Sequence, residues 1–324
     1  MQTKLKILFP DWKNFGVEDI KEAFEKMGHE VIIYKTEPKN YRIDPRFKSE
    51  LKKYIRSNGI TLMFTSNYFP VVADACHEVN IPYISWCYDS PLVLTFSKTV
   101  FYPTNFIFIF DSKMVADLQN LGVKQVFYMP MAVNPDRLNK LHSTSEQRKL
   151  IDADISFVGS LYSEKHTLYD RMTDLDDYTK GYIDGVMKAQ EQLYGVSIVE
   201  DALTPEIIDA MYQKMPINIH EDDLETKSYI YANYFINRKI TQTERPILLK
   251  EISEALPQME AQVGRKLKPL KLYTHNPTPF LPKVENMGTI HYMKEMPLVF
   301  RHSKINLNIT LRSIINGIPL RAID

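Results

Sequence analysis

The residues best suited to chemistry gather between Ser303 and Asp324, S-K-I-N-L-N-I-T-L-R-S-I-I-N-G-I-P-L-R-A-I-D. Arg321 and Asp324 stand three residues apart, which on a helix is one face. A guanidinium there can pair with phosphate while the carboxylate accepts from ribose hydroxyls. A strand, a loop and a helix start would position them. Ile305, Leu307 and Ile309 alternate with Asn306 and Asn308, and Gly317-Ile318-Pro319 predicts the opening turn of a helix, where proline is tolerated. A helix N-terminus offers free N–H groups and a partial positive charge suited to phosphate. In an open α/β sheet such strand ends border the ligand crevice.

The first half has the same grammar. Leu5–Phe9, His29–Tyr34, Thr61–Thr65, Ile81–Trp86, Phe106–Phe110 and Gln125–Tyr128 read as strands, with helical patterns between them, among them Val71–Val79 and Lys113–Leu121. This alternation predicts a parallel sheet. The loop after Leu5–Phe9 holds one glycine, Gly16, rather than G-x-G-x-x-G, so a dinucleotide is not indicated. The strand ending at Trp86 delivers Asp89 to the sheet edge, where it suits either a general base or a turn residue ahead of Ser90-Pro91. A polar stretch, Leu141–Arg148, sets the boundary between domains 1–145 and 146–324.

In the second half, Asp154–Ser160 runs as a strand into a glycine turn, and residues from about 170 to 260 read as an inserted helical subdomain, far longer than an ordinary connection. The strand pattern resumes at Leu270–Thr274 and Gly288–Tyr292, followed by a helix over Glu295–His302. The acidic runs Asp174–Asp177 and Glu221–Asp223 do not follow strands and read as solvated helix ends rather than D-x-D metal ligands. Lys165 and Arg171 could neutralise a diphosphate, but exposed helix cations are the commoner reading of such residues.

Composition narrows the classes. Lys+Arg and Asp+Glu both number 40 in 324 residues, so no charge excess favours nucleic acid or an anionic membrane. Cys76 and Cys87 form neither a C-x-x-C pair nor a disulfide framework. The eight histidines give no H-x-H or H-E-x-x-H, and no P-loop occurs. The apolar run at the N-terminus is too short for a signal peptide and no 18-residue apolar stretch occurs, so a cytoplasmic setting is expected.

Three stretches carry a resemblance: Ser303, Asn306, Asn308, Gly317, Pro319, Arg321 and Asp324 in the tail; Phe157-Val158-Gly159-Ser160; and Trp86-x-x-Asp89-x-Pro91. Together they resemble the CgeB-like (spore maturation protein) branch of the GT-B glycosyltransferases. The resemblance implies two Rossmann-like domains facing across a cleft, the second carrying the helical insertion. That second domain would be C-terminally truncated, because the family pattern continues past the R-x-x-(D/E) element into a glycine-rich loop. It implies sugar transfer from a nucleoside diphosphate sugar to a hydroxyl acceptor, with no metal or other cofactor and no nucleic-acid partner. Asp89 is the implied catalytic residue. Gly159, Ser160, Lys165, Met293, Asn308, Arg312, Gly317, Arg321 and Asp324 are the implied donor-binding set, Met293 beside the base and Gly159 admitting phosphate close to the backbone. A non-catalytic binding or scaffold protein derived from such an enzyme is the alternative.

Overall fold

The computed structural model describes residues 3–12, 14, 16–163, 167–219 and 223–323. It is an α/β protein with two sheets, every strand pair parallel. The first sheet contains β1 (Lys6–Pro10), β2 (Glu30–Tyr34), β3 (Leu62–Ser66), β4 (Tyr83–Cys87), β5 (Asn105–Ile109) and β6 (Val126–Tyr128) in the order β2-β1-β3-β4-β5-β6. The second contains β7 (Ala153–Val158), β8 (Leu270–Tyr273), β9 (Val284–Asn286) and β10 (Ser303–Asn306) in the order β10-β7-β8-β9. Each order reverses once, between β1 and β3 and between β7 and β10. At such a point the loops leave neighbouring strands toward opposite faces and open a crevice at the carboxyl edge.

Continuous burial marks the central strands. Every residue of β3 and of β7 is buried, as a strand covered on both faces requires. Ile7, Phe9, Leu62 and Phe64 pack under the helix Val17–Lys26. In the second sheet Ile155, Phe157, Leu270 and Leu272 meet Leu249 and Leu256 of the helix Asn237–Val263, while Val158 and Tyr273 meet Val299 and Phe300 of the helix Met296–His302. The inserted helices have a core of their own, including Ile183, Val199, Ile207, Met211, Tyr231 and Phe235.

Two compact units result: Met1–Val133 with Asn218–Lys227 and Ile314–Leu320, and Asn134–Ile217 with Ser228–Ser313 and Arg321–Asp324. The first division falls between Val133 and Asn134, upstream of the polar stretch that the sequence marks. Within the first unit, Arg42 holds the 218–227 segment through Asp223 and Glu225, and Leu224 N–H donates to the Phe96 carbonyl.

Two sequence expectations are corrected here. No helix opens at Gly317; residues 314–319 are irregular and only a single 3-10 turn, Leu320–Ala322, follows. Asp111 takes the N–H groups of Ile315 and Asn316 (3.0 and 3.1 Å), holding the segment out of a helical path. The strand expected at Gly288–Tyr292 lies upstream, at Val284–Asn286, paired with Leu270–Leu272; Gly288 then turns away at a left-handed φ of 78°.

Among the described residues no helix is long and apolar enough to cross a membrane. In the first acidic run Asp176 acts locally, capping the helix Asp177–Glu191 by accepting from Thr179 N–H. Of the second acidic run, Glu221 and Asp222 lie outside the described residues, and Asp223 pairs with Arg42.

Candidate functional site

The reversal between β7 and β10 gathers one set of groups. β7 ends at Val158, and Gly159 extends its ladder by donating N–H to Tyr273 O (3.1 Å). A Cβ on Gly159 would lie 2.8 Å from Arg321 Nη2 and 3.3 Å from Phe157 Cζ. The glycine therefore makes room for a guanidinium, where the sequence suggested room for phosphate. Arg321 lies over the Phe157 ring at 5.1 Å, and its Nη1 reaches Asn308 Oδ1 at 3.4 Å, just beyond β10.

A second guanidinium joins it. Arg245 is only 2 % exposed and projects from the helix Asn237–Val263. Its Nε and Nη2 donate to Ile309 O at 3.1 and 2.6 Å, and Nη1 donates to Ser160 O. The Phe157 and Tyr162 rings flank it at 5.3 and 4.9 Å. Among the described residues neither guanidinium pairs with a carboxylate. Burial brings the Arg321 pKa down to about 10, helped by repulsion from Arg245 and opposed by Tyr162; burial also lowers that of Arg245. Two desolvated cations that repel each other form a site an anion would relieve.

Beside these loops, a cavity of roughly 500 Å³ opens at the ends of β8 and β9, lined by Thr274, His275, Asn276, Thr278, Asn286 and Gly288 among others. That is the size range of small-molecule pockets. Asn286 Nδ2 donates to Asn276 O (2.8 Å) and Thr278 Oγ1 (3.1 Å), and Asn276 Nδ2 donates to Ser163 Oγ (3.2 Å), joining this wall to the β7 loop. Thr274 is 4 % exposed and its hydroxyl has no hydrogen-bond partner, a buried polar group awaiting one.

The first unit holds Asp89, beyond the end of β4. Asn67 Nδ2 donates to Asp89 Oδ2 at 2.7 Å. Asp89 is solvent-accessible and caps no helix; partial desolvation of its carboxyl by the surrounding protein nonetheless raises it above the ordinary range, with the Asn67 hydrogen bond opposing.

Of the implied donor set, Gly159, Ser160, Asn308 and Arg321 come together. Arg312 is drawn elsewhere: it is 8 % exposed, pairs with Glu244, and donates to the carbonyls of Leu193 and Glu191. Its guanidinium is committed to tying chain segments together, which corrects the assignment of Arg312 to the donor. Gly317 lies in the first unit, where a Cβ would stand 2.6 Å from the Phe110 ring; its lack of a side chain serves packing. Met293 sits in the turn before Met296–His302, its carbonyl accepting from Arg137 (2.9 Å), and it does not line the cavity. Lys165 and Asp324 lie outside the described residues.

Arg245, Tyr162, Thr274 and Asn67 escaped the sequence reading. For Arg245 a signal existed: Thr241, Arg245, Leu249, Ser253 and Leu256 form the buried stripe of their helix, and an arginine at core spacing marks a group with a task.

No family model and no curated protein matches the sequence. Solved structures of low similarity include a glycosyltransferase from Rickettsia africae ESF-5, at 12% identity over 97% of this chain and 92% of that one, TM-score 0.34. A sucrose-phosphate synthase from Thermosynechococcus elongatus is similar at 11% identity over 92% and 89%, TM-score 0.36. MurG from Acinetobacter baumannii is similar at 9% identity over 99% and 97%, TM-score 0.33. Among the described residues no three His, Cys, Asp or Glu side chains cluster as metal ligands would.

Proposed function

We propose that the protein transfers a glycosyl group from a nucleoside diphosphate sugar to a hydroxyl acceptor, as a GT-B-type enzyme of the CgeB-like branch. The observation that carries this reading is the pair of guanidinium groups, Arg245 and Arg321, at the β7/β10 reversal beside a cavity large enough for a nucleoside. Diphosphate is the ligand such a pair suits, because the Arg321 guanidinium can donate two parallel hydrogen bonds to phosphate oxygens while Arg245, held by backbone carbonyls, adds positive charge beside it. The nucleoside would occupy the cavity, with Thr274 Oγ1 and the 274–278 loop as its polar contacts.

In the transfer, the acceptor oxygen bonds to the anomeric carbon as the bond from that carbon to the diphosphate breaks. The electron pair leaves with the diphosphate, where the two arginines stabilise the charge without need of a metal ion. The acceptor's proton passes to Asp89. A cytoplasmic setting suits both a soluble nucleotide sugar and the free thiols of Cys76 and Cys87.

Calorimetric titration of the full chain with UDP and with GDP tests the reading. Micromolar affinity for one of them supports it, and no binding at millimolar concentration overturns it. The same result would favour a non-catalytic scaffold.

A further inference from the structure

The loop leaving β3, at the reversal of the first sheet, holds a non-glycine residue in a left-handed conformation: Asn67, φ 70°. Such backbone is rare outside glycine and persists only where surrounding contacts over-determine it. Here they do. Asn67 N–H donates to Trp86 O at 3.0 Å, and its carbonyl accepts from Thr65 Oγ1 at 2.5 Å. Asn67 is only 5 % exposed. Asn67 Oδ1 accepts from the N–H groups of Tyr88 (3.0 Å) and Asp89 (3.2 Å). Because both partners can only donate, the amide orientation is fixed, and Nδ2 must face Asp89 Oδ2.

The consequence for Asp89 is asymmetric. One carboxylate oxygen is anchored by a 2.7 Å hydrogen bond, while Oδ1 has no hydrogen-bond partner among the described residues and the side chain remains exposed. A loop clip with no further role would be expected to use both oxygens or to bury them. We propose that Asn67 is the positioning residue for Asp89: held in its left-handed turn, it fixes the carboxylate's orientation and steadies its ionised form, leaving Oδ1 to receive the acceptor hydroxyl's proton. This rests on the transfer reading above for the identity of the proton donor, and on the geometry alone for the coupling between the two side chains.

The test compares Asn67→Ala with Asn67→Gly in the full chain. Both remove the amide, and glycine also accepts the left-handed backbone, so it guards against misfolding. The Asp89 carboxyl is followed by carbon NMR across pH, its signal assigned by loss in Asp89→Asn. Both variants are expected to titrate at higher pH than the parent, since the ionised form loses a donor. In a transfer assay kcat should fall roughly ten- to a hundred-fold, the donor KM should hold, and the acidic limb of the rate profile should move to higher pH. UDP and GDP affinity should stay within about two-fold, because Asn67 belongs to the other unit. An unmoved Asp89 titration in Asn67→Gly, or a shift confined to Asn67→Ala, overturns the proposal. A shifted titration in a protein that binds neither nucleotide would remove the transfer reading and leave the Asn67–Asp89 coupling standing.

Discussion

The two sheet reversals share a switch in strand order and present opposite charges. At β1/β3 the nearby group is a single carboxylate, Asp89, steered by a neutral amide. At β7/β10 it is two guanidinium groups flanked by aromatic rings and carbonyl oxygens. Several other buried charges are paired: Asp154 with Arg265 and Lys304, Arg42 with Asp223 and Glu225, Arg312 with Glu244. Leaving a charge without a counter-ion costs stability. Asp89 and the Arg245–Arg321 pair each stand beside a sheet reversal, so the strand order sets where these groups lie and the side chains set the sign of the charge there.

The largest test of this contrast is Asp89→Asn. Turnover should fall by about 10²- to 10⁴-fold, the span of general-base catalysis, with nucleotide affinity unchanged by calorimetry. Stability should move the other way. The folded-state pKa of Asp89 is raised, so its contribution is fully present below the unfolded value and is lost as pH rises through the folded one. The variant should therefore melt above the parent at pH 7 and match it near pH 3. A melting difference independent of pH would show that Asp89 carries no such penalty.

Arg321→Ala should weaken nucleoside diphosphate binding by about ten- to a hundred-fold, the loss of one or two charge-assisted hydrogen bonds. Asp89 should titrate as before. Gly159→Ala should have a smaller effect, about three- to ten-fold, because the new methyl displaces Arg321 from 2.8 Å rather than removing it. In an Arg321→Ala background the same change should have almost no effect on binding, and a full additive loss would separate the glycine from the arginine. Smallest for function is Asp154→Asn, at the opposite end of β7. It should leave nucleotide binding alone and lower stability by about 1 kcal/mol in urea titrations at neutral pH. The depressed pKa of Asp154, caused first by Arg265, means this contribution is present above the ordinary carboxylate value and lost as pH falls toward the folded one. The difference should thus shrink in acid.

Much of the scaffold could be read from local pattern. The buried run of β7 and the alternation of β4 each announce a strand, and a strand end announces what it delivers, which is how Asp89 and Gly159 came into view. The tail was harder. Arg312 and Arg321 look alike in sequence, and what separates them is Glu244, brought by a distant helix to one and not the other. Gly317-Ile318-Pro319 has the composition of a helix start, but the Asp111 carboxylate supplies a stronger claim on the preceding N–H groups than a helix nucleus of its own would. Asn67 gave no pattern at all: left-handed backbone in a non-glycine residue follows from its partners, and those come from another strand end.

The chain passes between its two units at 133/134, 217/218, 227/228, 313/314 and 320/321. During synthesis this has a consequence for timing. The first sheet emerges early, yet Asp111, 1 % exposed, cannot complete its hydrogen bonds until Ile315 and Asn316 arrive, nor can Phe96 O meet Leu224 before the helix Pro205–Lys214 has been made. The amino-terminal sheet must wait, unfinished, until residues made some two hundred positions later have arrived.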